Sequence, residues 1–294
     1  MERLDIYLTK QLGVSRAQVQ KLIKTGAVTI NGKAATAHAQ VRDTDVIAHP
    51  ALQKQTKARI PRPEIPILYE DDDLLIVNKP AGIIVHPMNA TDRRPSVIGS
   101  LAASRPALKK VGDSKLRPGV VHRLDKDVSG VMAIAKTNAT FEELKRQFSG
   151  REVEKEYIAL VYGRLPKDQG MIDFKIARSK TLGRMVSRPE GQEGKEALTE
   201  YDVVDRFKTA TLVRVRIHTG RTHQIRTHFK AIGHPVVGDT LYHTKIVHIH
   251  PIDMGRLFLH AHRLTITMAD GERKTFVSKL PDELEHLLKT LPKT

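Results

Sequence analysis

The stretch Gly119-Val120-Val121-His122-Arg123-Leu124-Asp125-Lys126-Asp127-Val128-Ser129-Gly130 carries most of what this chain discloses about itself. Its polar and turn-forming members stand directly before the apolar run 131–135, which reads as a short strand. A carboxylate at position 125, with Arg123 and Lys126 beside it, is expected to stay ionised. That suits a nucleophile or an electrostatic stabiliser and disqualifies it as a general acid. On the residues alone, Asp127 and Ser129 serve equally well as loop-capping groups.

Working outward, Thr137 can cap a helix that carries Phe141, Leu144 and Phe148 on one face. Strands are expected over 65–69 and 74–77, separated by Glu70-Asp71-Asp72-Asp73, and Lys79-Pro80-Ala81-Gly82 forces a turn. Further strands are expected over 156–162 and 212–217. In the second, Val213, Val215 and Ile217 point one way and Arg214 and Arg216 the other. Residues 222–232 read as a helix with Ile225, Phe229 and Ile232 inward, ended by Gly233. Strands and helices mix without strict alternation, which predicts an α+β domain over 67–294 instead of a doubly wound sheet.

The first fifty residues read as a separate small domain. Leu4, Leu8 and Leu12 recur at helical spacing, and Ser15 with Gln18 forms a capping box for a second helix whose apolar face is Val19, Leu22 and Ile23. Arg16, Gln20 and Lys24, joined by Lys21, make a cationic stripe on its other face, and Gly26 stops it. Val28 and Ile30 then alternate as a strand into the Asn31-Gly32 turn. The stripe reads either as a surface for a polyanion or as an ordinary solvated face. Residues 51–66, basic and containing Pro61, Pro63 and Pro66, read as a linker.

Among the 294 residues Lys and Arg outnumber Asp and Glu by 16. Such an excess attracts polyanions, so nucleic acid is the leading partner. An anionic membrane is the competitor, yet no apolar run approaches the ~20 residues needed to cross a bilayer, and the first nine residues do not read as a secretory leader. The absence of cysteine excludes disulfides, thiolate chemistry and Cys-ligated zinc, and fits a cytoplasmic location. With 4% aromatic residues and no Trp, an extended base-stacking platform is not expected. Of 14 histidines, nine lie between His218 and His262, but neither the His223/His228 nor the His248/His250 spacing makes a metal motif, so no metal is expected.

The 119–130 stretch resembles, nearly letter for letter, the catalytic motif of the RluA-type pseudouridine synthases. Other blocks agree in order. These are Ile67-Leu68-Tyr69-Glu70-Asp71, Val77-Asn78-Lys79-Pro80-Ala81-Gly82, Lys155-Glu156-Tyr157, and Thr219-Gly220-Arg221-Thr222-His223-Gln224-Ile225-Arg226-Thr227-His228 followed by Gly238-Asp239. Residues 1–49 are similar to the alpha-L RNA-binding module first known from a ribosomal small-subunit protein. The resemblance implies a pseudouridine synthase fold with a central mixed, largely antiparallel sheet, and an isomerase that needs no cofactor. It implies Asp125 as the essential aspartate, Arg226 as its counter-ion and Tyr157 as the active-site tyrosine against the flipped base. Arg123 is expected to fill the vacated stack or to touch phosphate. His122, Lys126 and Gln224, with Arg16, Lys21 and Lys24 of the first module, complete the expected RNA contacts.

Converting uridine to pseudouridine breaks the bond from ribose to uracil N1, turns the base and joins the sugar to C5. The chemistry therefore calls for an ionised carboxylate, a closed pocket and a route for the C5 proton. Asp125 takes the first role, as nucleophile or as the base that starts cleavage. The expected partner is structured RNA, of the large ribosomal subunit, handled by a monomer. A transfer RNA target and a non-catalytic ribosome-assembly factor are the alternatives.

Overall fold

A computed structural model describes residues 2–50, 62–188, 191–243 and 252–294. Residues 51–61 of the expected linker, and the His248/His250 pair, lie outside them. The chain divides into two compact units, residues 1–59 and 60–294.

The first unit runs β1 (Glu2–Arg3), α1 (Leu4–Leu12), α2 (Arg16–Lys24), β2 (Thr29–Ile30), β3 (Lys33–Ala34), β4 (Gln40–Val41) and β5 (Ile47–Ala48). Leu4, Leu8, Val19, Ile23, Val28 and Val41 form its core. The capping box at Ser15 is present, with both hydrogen bonds made. Asp5 is fully buried, and a buried carboxylate must be matched by donors. Arg16 Nε donates to its Oδ2 at 2.9 Å, Gln20 Nε2 to the same oxygen at 2.8 Å, and Arg3 also donates. Two members of the stripe thus complete the module's own fold. Lys21 and Lys24 stay exposed, with no ion-pair partner among the described residues.

The second unit contains β6 (Ile67–Glu70), β7 (Leu74–Lys79), α3 (Val97–Ser104), β8 (Ser129–Ala135), α4 (Asn138–Gly150), β9 (Glu154–Tyr162), β10 (Gln169–Ile172), β11 (Lys175–Arg178), β12 (Met185–Arg188), β13 (Thr199–Arg206), β14 (Ala210–Ile217), α5 (Gln224–Ala231), β15 (Leu259–Thr267), β16 (Arg273–Val277) and α6 (Asp282–Thr290). Nine strands form one sheet in the order β10-β13-β14-β9-β15-β8-β7-β6, with β16 also on β15. Among the described strands of this sheet only β8 and β15 pair in parallel. The sheet is therefore mixed and largely antiparallel, as expected.

Side chains alternate across this sheet and so build two cores. Val213, Val215, Ala159 and Val161 join the main cluster with Met132, Ile134 and Phe229. Their neighbours Leu212 and Leu160 face a second cluster with Phe258 and Leu284 of α6. Arg214 and Arg216 project to solvent as expected. The ends of several elements differ from the sequence reading. Strand β9 starts at Glu154 and β6 at Ile67, while α5 starts at Gln224 because His223 takes a left-handed backbone, φ 56°.

The loop that follows Asp125 joins β8 at Ser129, and at the next residue, Gly130, φ is 122° and the backbone stands opposite Ala261 of β15. A Cβ at 130 would overlap the Ala261 backbone, so only glycine permits this parallel pairing. Gly130→Ala is expected to destabilise the unit by about 3 kcal/mol or more, read as a lowered denaturant midpoint.

Candidate active site

Three elements converge on one cleft. The loop before β8 brings Arg123 and Asp125, strand β9 brings Lys155 and Tyr157, and the turn into α5 brings His223 and Arg226. The cleft encloses about 380 Å³, a size suited to one nucleoside. A larger cavity of about 1470 Å³ also touches Arg226 and Asp239, but neither Asp125 nor Tyr157 lines it. The titratable constellation expected from the sequence belongs to the smaller cleft.

Arg226 organises the site. Its Nε donates to Asp239 Oδ2 at 2.7 Å and its Nη2 to Asp239 Oδ1 at 2.9 Å, a two-pronged pair. Its Nη1 reaches Asp125 Oδ2 at 3.3 Å. Arg226 thus lies beside Asp125 as the resemblance implies, but its two-pronged pair is made with Asp239, and Asp125 receives a single N–H from Nη1. Asp239 Oδ1 also accepts from the N–H groups of Leu241 and Tyr242, both at 2.9 Å. Burial tends to raise the Asp239 carboxyl, but Arg226 and those two N–H groups outweigh it and hold it below its ordinary range. Burial likewise opposes ionisation of Arg226, and Asp239 with Asp125 reverses this, so the guanidinium is more firmly protonated than usual.

Tyr157 is 8% exposed. Burial, and then the Asp125 charge, push its hydroxyl above the ordinary phenol range, so it enters the cleft as a neutral phenol. Asp125 itself is 18% exposed at the side chain, open to a ligand from the cleft side. Arg123 and Lys126 are exposed, and Arg123 lines the cleft. Lys155 was not singled out beforehand; burial, then the Arg151 charge, bring its ammonium down to about 8.

Two expected RNA contacts are built into the frame. His122 stacks on Phe148, ring centres 4.4 Å apart, and its Nε2 accepts from the Ala133 N–H at 2.9 Å. Burial, then the Lys155 charge, push it down to about 3, so it is a neutral acceptor. Gln224 is 3% exposed. Its Nε2 donates to Leu198 O and Thr199 Oγ1, and its Oε1 accepts from Thr219 Oγ1 and the Arg221 N–H. Every hydrogen-bonding position of its amide is filled inside the turn. Lys79 is also internal. It is fully buried and donates to the carbonyls of Pro80, Ile83 and Lys126 at 2.8–3.0 Å, tying the first motif to the loop of Asp125.

Among the described residues no group of three or more His, Asp or Glu is placed to hold a metal ion. Sequence reasoning missed Asp239 as the fork's partner, although Gly238-Asp239 was visible. The usable signal was a buried arginine that needs a full carboxylate.

The family described as RNA pseudouridylate synthase matches residues 73–231, and the S4 domain family matches residues 2–47. An uncharacterised RNA pseudouridine synthase of Aquifex aeolicus is 42% identical over 82% of this chain and 77% of its own length. Ribosomal large subunit pseudouridine synthase D of Nitrosomonas europaea is 37% identical over 98% of this chain and 84% of its own. Among solved structures, human RNA pseudouridylate synthase domain containing 1 superposes with a TM-score of 0.58 at 26% identity, covering 79% of this chain and 97% of that one.

Asp239→Asn would leave Arg226 buried against a neutral partner, and a loss of about 3 kcal/mol in unfolding free energy is expected. Asp239 is depressed when folded, so its contribution is complete above about pH 4 and is lost as the pH falls towards its folded value. The gap between parent and variant, measured by urea unfolding, is expected to narrow below about pH 4.

Proposed function

This chain belongs to the RNA pseudouridylate synthase family, and on that footing we propose that it isomerises specific uridines in large-subunit ribosomal RNA. That it is an RNA-acting isomerase follows from the family match; the choice of ribosomal RNA is supported by the name of the 37% identical relative. In this reading residues 1–50 grip RNA beside the target, 51–66 connect, and 67–294 carry out the reaction, as a monomer in the cytoplasm.

The observation that carries the assignment is the cleft in which Asp125 meets Arg226 at 3.3 Å with Tyr157 on the same wall. A uridine inside a stem or tight loop must be flipped out to reach it, at a cost of a few kcal/mol. Arg123, exposed at the rim, occupies the vacated stack, where a planar guanidinium suits neighbouring bases. Asp125 then opens the glycosidic bond, as nucleophile or as base, and the pair of electrons leaves with the uracil. Arg226 orients the carboxylate through the N–H that it donates to Oδ2. The neutral Tyr157 ring supports the loose uracil while it turns to offer C5 to the sugar. Rejoining there, release of the C5 proton and uptake of a proton at N1 complete an isomerisation in which every heavy atom of the base is kept. None of these steps calls on a cofactor.

Asp125→Asn is expected to abolish pseudouridine formation in transcribed large-subunit ribosomal RNA while the protein still binds it, as mass mapping of the modified nucleosides would record. Unchanged pseudouridine would sink the catalytic assignment, and product found only in transfer RNA would move the substrate there. In the first module, Lys21→Ala and Lys24→Ala are each expected to weaken RNA binding and to flatten its salt dependence by about one charge. A slope equal to the parent's would mean that this surface faces away from RNA.

A further inference from the structure

His223 stands in the 219–228 motif without an expected role of its own, yet it occupies an unusual place. Its backbone is left-handed, φ 56° and ψ 24°, a conformation that a residue with a side chain adopts only when its surroundings impose it. The imposing group is the Gln224 amide, which clamps the turn through Thr219, Arg221, Leu198 and Thr199. The His223 carbonyl meanwhile accepts the Thr227 N–H at 2.9 Å and so opens α5. As a result the imidazole is turned back towards the loop of Asp125, with Nε2 3.8 Å from Asp125 Oδ2.

The other ring nitrogen fixes which tautomer is present. His223 Nδ1 lies 2.8 Å from the Tyr242 hydroxyl, and Tyr242 is 1% exposed. Burial pushes that phenol up to about 12, against the pull of Arg226, whose guanidinium stacks 5.0 Å from the ring centre. The hydroxyl therefore keeps its proton and, among the described residues, has one acceptor for it, His223 Nδ1. Burial also holds the imidazole below its ordinary value, and a neutral ring that accepts the Tyr242 proton at Nδ1 carries its own on Nε2, 3.8 Å from the carboxylate.

Both protein groups that address Asp125 thus address the same oxygen, Oδ2: Arg226 Nη1 at 3.3 Å and His223 Nε2 at 3.8 Å. Among the described residues Oδ1 receives no hydrogen bond. We propose that His223 is a positioning residue which, with Arg226, fixes Asp125 Oδ2 and so presents Oδ1 as the oxygen that meets the ribose of the flipped uridine. The His223 contact is longer than a formed hydrogen bond and shortens as the substrate closes the cleft, as such contacts do between free and occupied sites. Tyr242 acts one step further out, by holding the tautomer that lets His223 donate. Without its hydroxyl the imidazole can turn its proton to Nδ1 and face the carboxylate with a lone pair.

This proposal rests on the assignment of Asp125 above, and single-turnover pseudouridine formation on transcribed large-subunit ribosomal RNA separates the two. Parent activity with none in Asp125→Asn upholds the assignment whatever His223 does; a parent that forms no pseudouridine removes both. His223→Leu is expected to slow the step roughly tenfold to a hundredfold, the weight of a hydrogen bond to a charged group, with RNA affinity unchanged. His223→Gln, whose amide N–H reaches the place of Nε2, restores most of the rate. Tyr242→Phe is expected to slow the parent protein about tenfold and to have no further effect when combined with His223→Gln, because a glutamine has no tautomer to hold. Equal slowing by Tyr242→Phe in both backgrounds, or a His223→Leu protein as fast as the parent, overturns the proposal. Should His223→Leu not fold, the Tyr242→Phe pair still decides.

Discussion

The site depends on one arginine that serves two carboxylates. Arg226 is 6% exposed, lies on α5, and is anchored through Nε and Nη2 to Asp239, itself pinned by two backbone N–H groups. A guanidinium held in this way cannot swing, and its third N–H points at Asp125. The arrangement separates two tasks. Asp239 neutralises the buried cation, and Asp125, less tightly held and more exposed, remains available to a ligand. Had the fork closed on Asp125, that carboxylate would have been locked in a fully formed ion pair.

The rest of the unit can be understood as support for that geometry. The parallel pairing of β8 with β15 needs Gly130, and its placement sets where the loop of Asp125 leaves the sheet. Lys79 reaches from the end of β7 to the carbonyl of Lys126 and ties the same loop from below. Tyr242 spans the guanidinium of Arg226 and the imidazole of His223. The shape of the cleft is thus fixed by backbone approach and by internal hydrogen bonds, and of the stretch 119–130 only Arg123 and Lys126 are exposed.

Much of this was legible in the sequence. The alternation of β14, the capped helix after β8, the amphipathic pattern of α2 and the two-part organisation all follow from spacing and turn residues, and the ordered motifs named Asp125, Tyr157 and Arg226. What could not be read was the assignment of polar side chains to partners. Arg16 and Gln20 look like surface stripe, yet a buried Asp5 eleven and fifteen positions away claims them. Gln224 looks like a reader of RNA, yet its amide completes a turn with residues 5 and 25 positions away. Pattern reports which face of an element a residue occupies; whether a polar group there meets solvent, substrate or another buried group is set by tertiary contacts that periodicity does not carry. Strands β10 to β13, β15 and β16 were not read from the sequence either.

The account stands on Arg226 doing what a simple positive charge would not. The most direct test is the single-turnover rate of pseudouridine formation by Arg226→Lys, measured beside its affinity for the same RNA. Lysine keeps the charge and loses the planar three-way geometry. The account predicts a rate at least roughly a hundredfold lower, the cost of a misplaced reacting group, with affinity retained. A lysine protein that works as fast as the parent would contradict it.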